Sequence, residues 1–229
     1  MNIVLIGGSY GIGRSIAQQQ IQKGNSVWIA SRTMDESIDG ALHLPFDAFK
    51  EDLDLTGFPE QIDGLVYCPG SINLRPFTNL RSDDFREDME INFFAMVRCV
   101  QALLPRLKKS DQASLVLFST VAVQTGLPFH TSVSAAKGAI EGFARALAAE
   151  MAPRIRVNVV APSLTDTPLA SKLLSNEKSR TNNAERHPLK RLGTPEDIAS
   201  MVGFLLEIGS SWMTGQTIQV DGGMGTLRI

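Results

Sequence analysis

Residues 3–13 read IVLIGGSYGIG, and their reading decides the fold. Ile3–Ile6 is a short β-rich run, Gly7-Gly8 breaks it, and an apolar helical pattern follows from about Ile12 to Lys23. A strand that turns on glycines straight into a helix lets main chain approach a pyrophosphate. The phosphate charge then faces the helix N-terminus. Gly7, Gly11 and Gly13 in isolation would mark only a turn. Placed between a strand and a helix, they point to a bound dinucleotide.

Beyond this stretch the pattern repeats. Strands are predicted at Val27–Ala30, Ala41–Phe46, Gly64–Cys68, Ser114–Phe118, Arg156–Val160 and Thr217–Val220. Helical periodicity runs through Asp83–Lys109, Val133–Met151 and Pro195–Leu206. Strands alternating with helices give βαβ units, and these strands are apolar without clean alternation, as strands covered on both faces are. The fold class is therefore α/β: a single Rossmann-type domain over residues 1–229, a doubly wound parallel sheet with helices on both faces. Few residues separate the second, third and fourth strands, so the helices there should be short or missing. The polar stretch Ser171–Arg186 reads as a mobile surface segment, and functionally as a lid.

Composition narrows the function. The net charge of −2, from 22 Lys+Arg against 24 Asp+Glu, lacks the basic footprint of a nucleic-acid binder. Cys68 and Cys99 lie in apolar stretches at a spacing that suggests neither a disulfide framework nor a metal site, so buried free thiols are expected. The N-terminus has no basic leader region and its apolar run is too short to span a membrane. A cytoplasmic protein with a small-molecule substrate, and with no nucleic-acid or membrane partner, is the expectation.

The end of the second strand selects the cofactor. An acid there would hold the ribose hydroxyls, whereas IASRT puts Arg32 at that place, favouring NADP(H) over NAD(H). Asp47, in LPFD, either contacts the adenine edge or caps the next turn.

Together these pieces resemble the short-chain dehydrogenase/reductase family over nearly the whole chain. The glycine turn matches, as do Asn92 in MEINFFA, RVNVVAP at Arg156–Pro162, Thr167, and the tail RLGTPEDIASMVGFLL followed by MTGQTIQVDGGM. The tail is similar to that of β-ketoacyl-carrier-protein reductases. The resemblance implies a cofactor set of Gly7, Ser9, Tyr10, Gly11, Ile12, Gly13, Arg32, Asp47, Gly70, Lys137, Pro162, Thr165 and Thr167. It also implies a homodimer or homotetramer. Two departures stand out: YCPG at 67–70 replaces an asparagine-rich stretch, and Ser163 replaces the glycine after Pro162.

The larger departure is in HTSVSAAKG, residues 130–138. Lys137 aligns with the family's catalytic lysine, and the catalytic serine falls on Thr120. The tyrosine expected one helical turn before the lysine is Val133, which can neither donate nor accept a proton. The implied catalytic set is then Thr120, Lys137 and Asn92, with His130 or a water as a substitute donor. Ser132 reads as a helix cap, and Tyr67 as a packed residue. Two functions are open: an NADP-dependent oxidoreductase of carbonyls or alcohols with non-standard proton supply, or a cofactor-binding relative without redox turnover, acting as a sensor or an oligomer partner.

Overall fold

The computed structural model describes residues 1–228. Asn2–Ile6 forms strand β1, and Ile3–Ile6 are at most 1% exposed, so its side chains are buried on both faces of a sheet. Helix α1 (Gly11–Gln22) follows, then β2 (Ser26–Ser31), β3 (Ala41–Pro45) and β4 (Gly64–Tyr67). The predicted helix at Asp83–Lys109 is one continuous rod with an internal change of pitch. It comprises α2 (Ser82–Met89), a π-helical turn (Glu90–Phe94) and α3 (Ala95–Leu107). Then come β5 (Ala113–Phe118), a short α4 (Ala122–Thr125), α5 (Thr131–Met151), β6 (Ile155–Pro162), α6 (Glu177–Glu185), α7 (Pro195–Leu206) and β7 (Thr217–Val220).

The seven strands pair in the order β3-β2-β1-β4-β5-β6-β7, and every pairing is parallel. Parallel neighbours need crossovers, and the crossover helices sort onto two faces. Ile16 and Ala17 of α1 and Ile198 to Leu206 of α7 pack on one face. Ala95 to Leu107 of α3 and Ile140 to Ala148 of α5 pack on the other. Between β2 and β3, and between β3 and β4, no helix forms. Phe46, Phe58 and Ile62 fold in from the connection after β3 and cover the sheet where a helix would lie, and Ile38 is buried from the connection before it.

Two sequence expectations are corrected. The segment 171–186, read as a surface segment with no predicted element, lies on the surface but holds α6, capped by Asn176, whose Oδ1 accepts from Ser179 N at 2.9 Å. Because α6 buries no residue, it carries no apolar period to read. Ser132 does not cap α5, which has His130 at its N-cap. It is 1% exposed, and its hydroxyl donates to Asp88. Among the described residues no helix is long and apolar enough to cross a membrane, and no group of three His, Cys, Asp or Glu is placed to hold a metal.

Candidate active site

The C-terminal ends of β1, β2, β4, β5 and β6 open on a cavity of about 490 Å³, beside the point where the strand order reverses between β1 and β4. Open parallel sheets bind ligands at such a point, because the loops on either side diverge there. Every sequence-predicted site residue lines this cavity except Asn92.

The glycine turn forms its floor. Gly7 and Gly11 have φ of +78° and +50°, a region that L side chains rarely enter. At Gly13 a Cβ would lie 2.5 Å from the Gly7 carbonyl oxygen, so α1 can approach β1 only with glycine there. Helix α1 begins at Tyr10 with no side-chain cap and no acid in its first turn. Its free N–H groups and positive dipole end are thus available to an anion, and Gly11, Ile12 and Gly13 line the cavity at that end. A dinucleotide pyrophosphate fits this cradle. Ser9 is buried beside it, and the Tyr10 hydroxyl donates to Asp35 Oδ2 at 2.6 Å.

Arg32 follows β2 at the cavity rim, exposed, with its guanidinium 6.0 Å from the centre of the Phe49 ring. Among the described residues no carboxylate pairs with it, and it forms part of the lining where a 2′-phosphate would need a cation. Asp47 caps the turn after β3, its Oδ1 accepting from Phe49 N at 3.1 Å, and also lines the cavity. On the opposite wall Pro162 ends β6, Thr165 is buried, and Thr167 caps the turn at Pro168–Ala170. Thr167 also limits Gly11, where a Cβ would lie 3.3 Å from the threonine side chain.

Lys137 is 7% exposed on α5, and its Nζ donates to the Phe118 carbonyl at 3.0 Å. Burial pulls its pKa down to about 8, against the opposing pull of Cys68 and Asp88. A Cβ on Gly70 would lie 3.2 Å from both Lys137 Nζ and Asn92 Oδ1, so glycine leaves the ammonium room at the cavity wall. One turn earlier on α5, Val133 lines the same cavity. The position at which the family resemblance leads one to expect a tyrosine therefore faces the site, and it is apolar.

Asn92 stands behind the wall, fully buried in the π-helical turn. Its Nδ2 donates to Ser71 Oγ and to the Asp88 carbonyl, both at 2.8 Å, and its Oδ1 accepts from Ser71 N at 3.3 Å. Ser71 Oγ in turn donates to Asp88 Oδ1 at 2.6 Å. The asparagine side chain thus anchors the loop after β4 to α2. Half-buried Ser71 and buried Asp88 and Ser132 form a hydrogen-bonded cluster, in which Ser71 and Asp88 went unread in the sequence. A helical period does flag Asp88, four residues before Asn92 on the same face.

Thr120 and His130 both line the cavity. Thr120 Oγ1 accepts from Ala122 N at 3.4 Å. His130 is half-buried at the start of α5, with Nδ1 2.7 Å from the Pro128 carbonyl. Tyr67 is packed as expected, and burial raises its phenol pKa far beyond the usual range. Cys68 and Cys99 are free, and burial pushes both thiols up to about 12, so neither supplies a thiolate. Besides His130, a second cavity histidine escaped the sequence reading: His187 is 3% exposed and lines the cavity beside Ser163. It lies outside any periodic segment, between α6 and α7.

A parallel sheet with an open helix N-terminus at its switch point, and a buried lysine across the cavity, defines a dinucleotide-binding protein of Rossmann type. The family profile described as Enoyl-(Acyl carrier protein) reductase matches residues 7–225. The chain belongs to the short-chain dehydrogenase/reductase family of oxidoreductases, whose members bind nicotinamide cofactors. It is 31% identical over 244 residues to a tropinone reductase homolog of Datura stramonium, covering 97% of this chain and 91% of that one. It is 30% identical over 238 residues to the 3-oxoacyl-[acyl-carrier-protein] reductase FabG of Thermotoga maritima, covering 96% of each. The ligand-free aldohexose dehydrogenase of Thermoplasma acidophilum superposes with a TM-score of 0.91 at 25% identity, over 99% of this chain and 95% of that one.

Proposed function

We propose that this protein is an NADP(H)-dependent oxidoreductase that interconverts a carbonyl and an alcohol, with a proton source other than a tyrosine. One observation carries the reading: the buried Lys137, the open end of α1 and the unpaired Arg32 line a single cavity. In this reading α1 holds the pyrophosphate, Arg32 holds the 2′-phosphate, and Lys137 holds the nicotinamide ribose. Thr120 donates its hydroxyl to the substrate oxygen. Asn92 positions the Ser71 loop against Lys137. When bound, the nicotinamide supplies or takes up the hydride. The exposed and half-buried apolar side chains of the cavity segment after β6, Leu169 and Leu173, favour a substrate with an apolar part.

Val133 favours a second reading, a cofactor-binding protein without turnover, because losing a positioned acid typically lowers a rate by ~10²–10⁴. The deciding experiment is NADPH oxidation by the purified protein over ketones, β-keto thioesters and quinones, alongside NADPH binding by fluorescence. Turnover establishes the oxidoreductase. Tight binding with no turnover on any acceptor favours the second reading, and no binding overturns both.

A further inference from the structure

Ser163 follows the last residue of β6, and its main-chain N–H donates to the Val220 carbonyl at 3.3 Å. The residue before it, Pro162, accepts from Val121 N at 3.1 Å, which ties this strand end to the Thr120 loop. Ser163 Oγ lies 2.8 Å from His187 Nε2. The other ring nitrogen of His187, Nδ1, is 2.9 Å from the main-chain carbonyl of Asn183. A carbonyl only accepts, so Nδ1 carries the proton and the Nε2 lone pair points at the serine hydroxyl. Met224 Sδ, 3.1 Å from the same oxygen, is a far weaker acceptor than an imidazole lone pair, so the hydroxyl proton belongs to Nε2.

This is a hydroxyl backed by a base that a third group orients, and both side chains line the cavity that holds Lys137 and Thr120. We propose that Ser163 and His187 are the proton-transfer pair of this site, in place of the tyrosine that Val133 removes. The proposal rests on the oxidoreductase reading above. In the oxidative direction the substrate O–H proton passes to Ser163 Oγ as the serine proton passes to His187 Nε2. A bound oxidised nicotinamide would accept the carbinol hydride as the carbonyl π bond forms, and the imidazolium later loses its extra proton to water. In reduction each transfer reverses: the imidazolium gives its Nε2 proton through Ser163 to the oxygen whose carbon receives the hydride.

His187 suits the task better than His130. It is buried in the wall with its lone pair already on a cavity hydroxyl, whereas His130 is half-buried at the start of α5. The charged groups around His187 are Arg186 on the cavity side, and Arg191, Asp197 and Asp221 in the smaller hollow behind it. Arg191 and Asp197 neutralise each other at 2.5 Å, and Asp221 is taken up by Gly223 N and Gly225 N.

The test combines kinetics with a measurement that needs no substrate. In ¹⁵N-edited NMR of the free protein, His187 is expected as the Nδ1–H tautomer, and Ser163→Ala should move its Nε2 resonance. An unmoved resonance overturns the pair. With a carbonyl substrate from the panel, His187→Gln and Ser163→Ala should each lower kcat ~10²-fold or more and leave NADPH affinity within about twofold. The pH profile of reduction should differ from the wild type's in His187→Gln, leaving the limb that Lys137, held at about 8, contributes. A variant that binds NADPH and keeps both the wild-type kcat and its pH profile overturns the proposal while the oxidoreductase reading stands. A wild type that turns over nothing brings both down. If His187→Gln fails to fold, Ser163→Ala alone decides, because it removes one oxygen and leaves the imidazole in place.

Discussion

At Lys137 the needs of folding and of the site oppose each other. A lysine ordinarily titrates near 10.5, and burial holds this one at about 8. Between those two values the unfolded chain keeps a proton that the folded chain has released, so this residue makes stability rise with pH across that window. Below about 8 the folded protein bears the whole cost of the buried charge, on the order of 3 kcal/mol. Lys137→Met should therefore raise the melting temperature by several degrees at pH 7, and the gain should shrink at pH 10. The same variant should lose most of its NADPH affinity. Calorimetry at the two pH values checks the first expectation, and a Met variant less stable at pH 7 would show that the Phe118 bond outweighs desolvation. Val133 gives the complementary experiment. The residue is 5% exposed and faces open cavity, so a phenol there has room to enter. Val133→Tyr should raise ketone reduction by roughly 10²-fold, read as kcat at saturating NADPH. The gain should be largest in a background that also carries Ser163→Ala, and an unchanged kcat in that double variant, with NADPH still bound, would mean that Thr120 and Lys137 do not hold a carbonyl where the family holds one.

Among the elements, α6 is the one whose existence depends on its ends. It buries no residue, and its supports are the Asn176 cap and the ion pair of Arg180 with Asp166. Both supports are exposed, so neither holds the helix strongly. Helix α5, by contrast, buries Val133, Ala136, Ile140, Ala144 and Ala148 against its neighbours and the sheet. Amide exchange in α6 should then be faster than in α5 by orders of magnitude, and Asn176→Ala should hasten it several-fold further. Hydrogen exchange read by mass spectrometry checks this, and equal protection in the two helices would contradict it. The same contrast explains what was legible. Helices α5 and α7 were readable because burial on one face leaves a period in the sequence, and α7 ends where its pattern ends. Helix α6 was not, because a helix held by its cap and one ion pair writes no period. Nor was the Ser163–His187 pair, since 24 residues separate partners that only the β6 end brings together.

For the molecule as a whole, the parallel sheet and both covered faces follow from the alternation of strands and helices, and the cavity follows from where the strand order reverses between β1 and β4. The sequence could not show that Phe46, Phe58 and Ile62 would stand in for the crossover helix between β3 and β4, because burial of isolated apolar residues in a connection has no spacing signature. That substitution matters for the cofactor: Phe49, in the same connection, stands beside Arg32 and fixes where its charge sits on the rim. A ligand that binds only the folded chain stabilises it by about 2.7 kcal/mol at a hundredfold excess over Kd. For a chain of this size that is roughly 5–10 °C in melting temperature. NADPH should produce a shift of this size and NADH a clearly smaller one at equal concentration, because only NADPH carries the phosphate that Arg32 would pair with. Arg32→Glu should reverse the order, since a carboxylate repels the 2′-phosphate and accepts from ribose hydroxyls. Thermal melts of both proteins with both cofactors measure it. Equal shifts in the wild type would assign the NADP preference to no residue of this rim, and a large shift with NADH alone would overturn it.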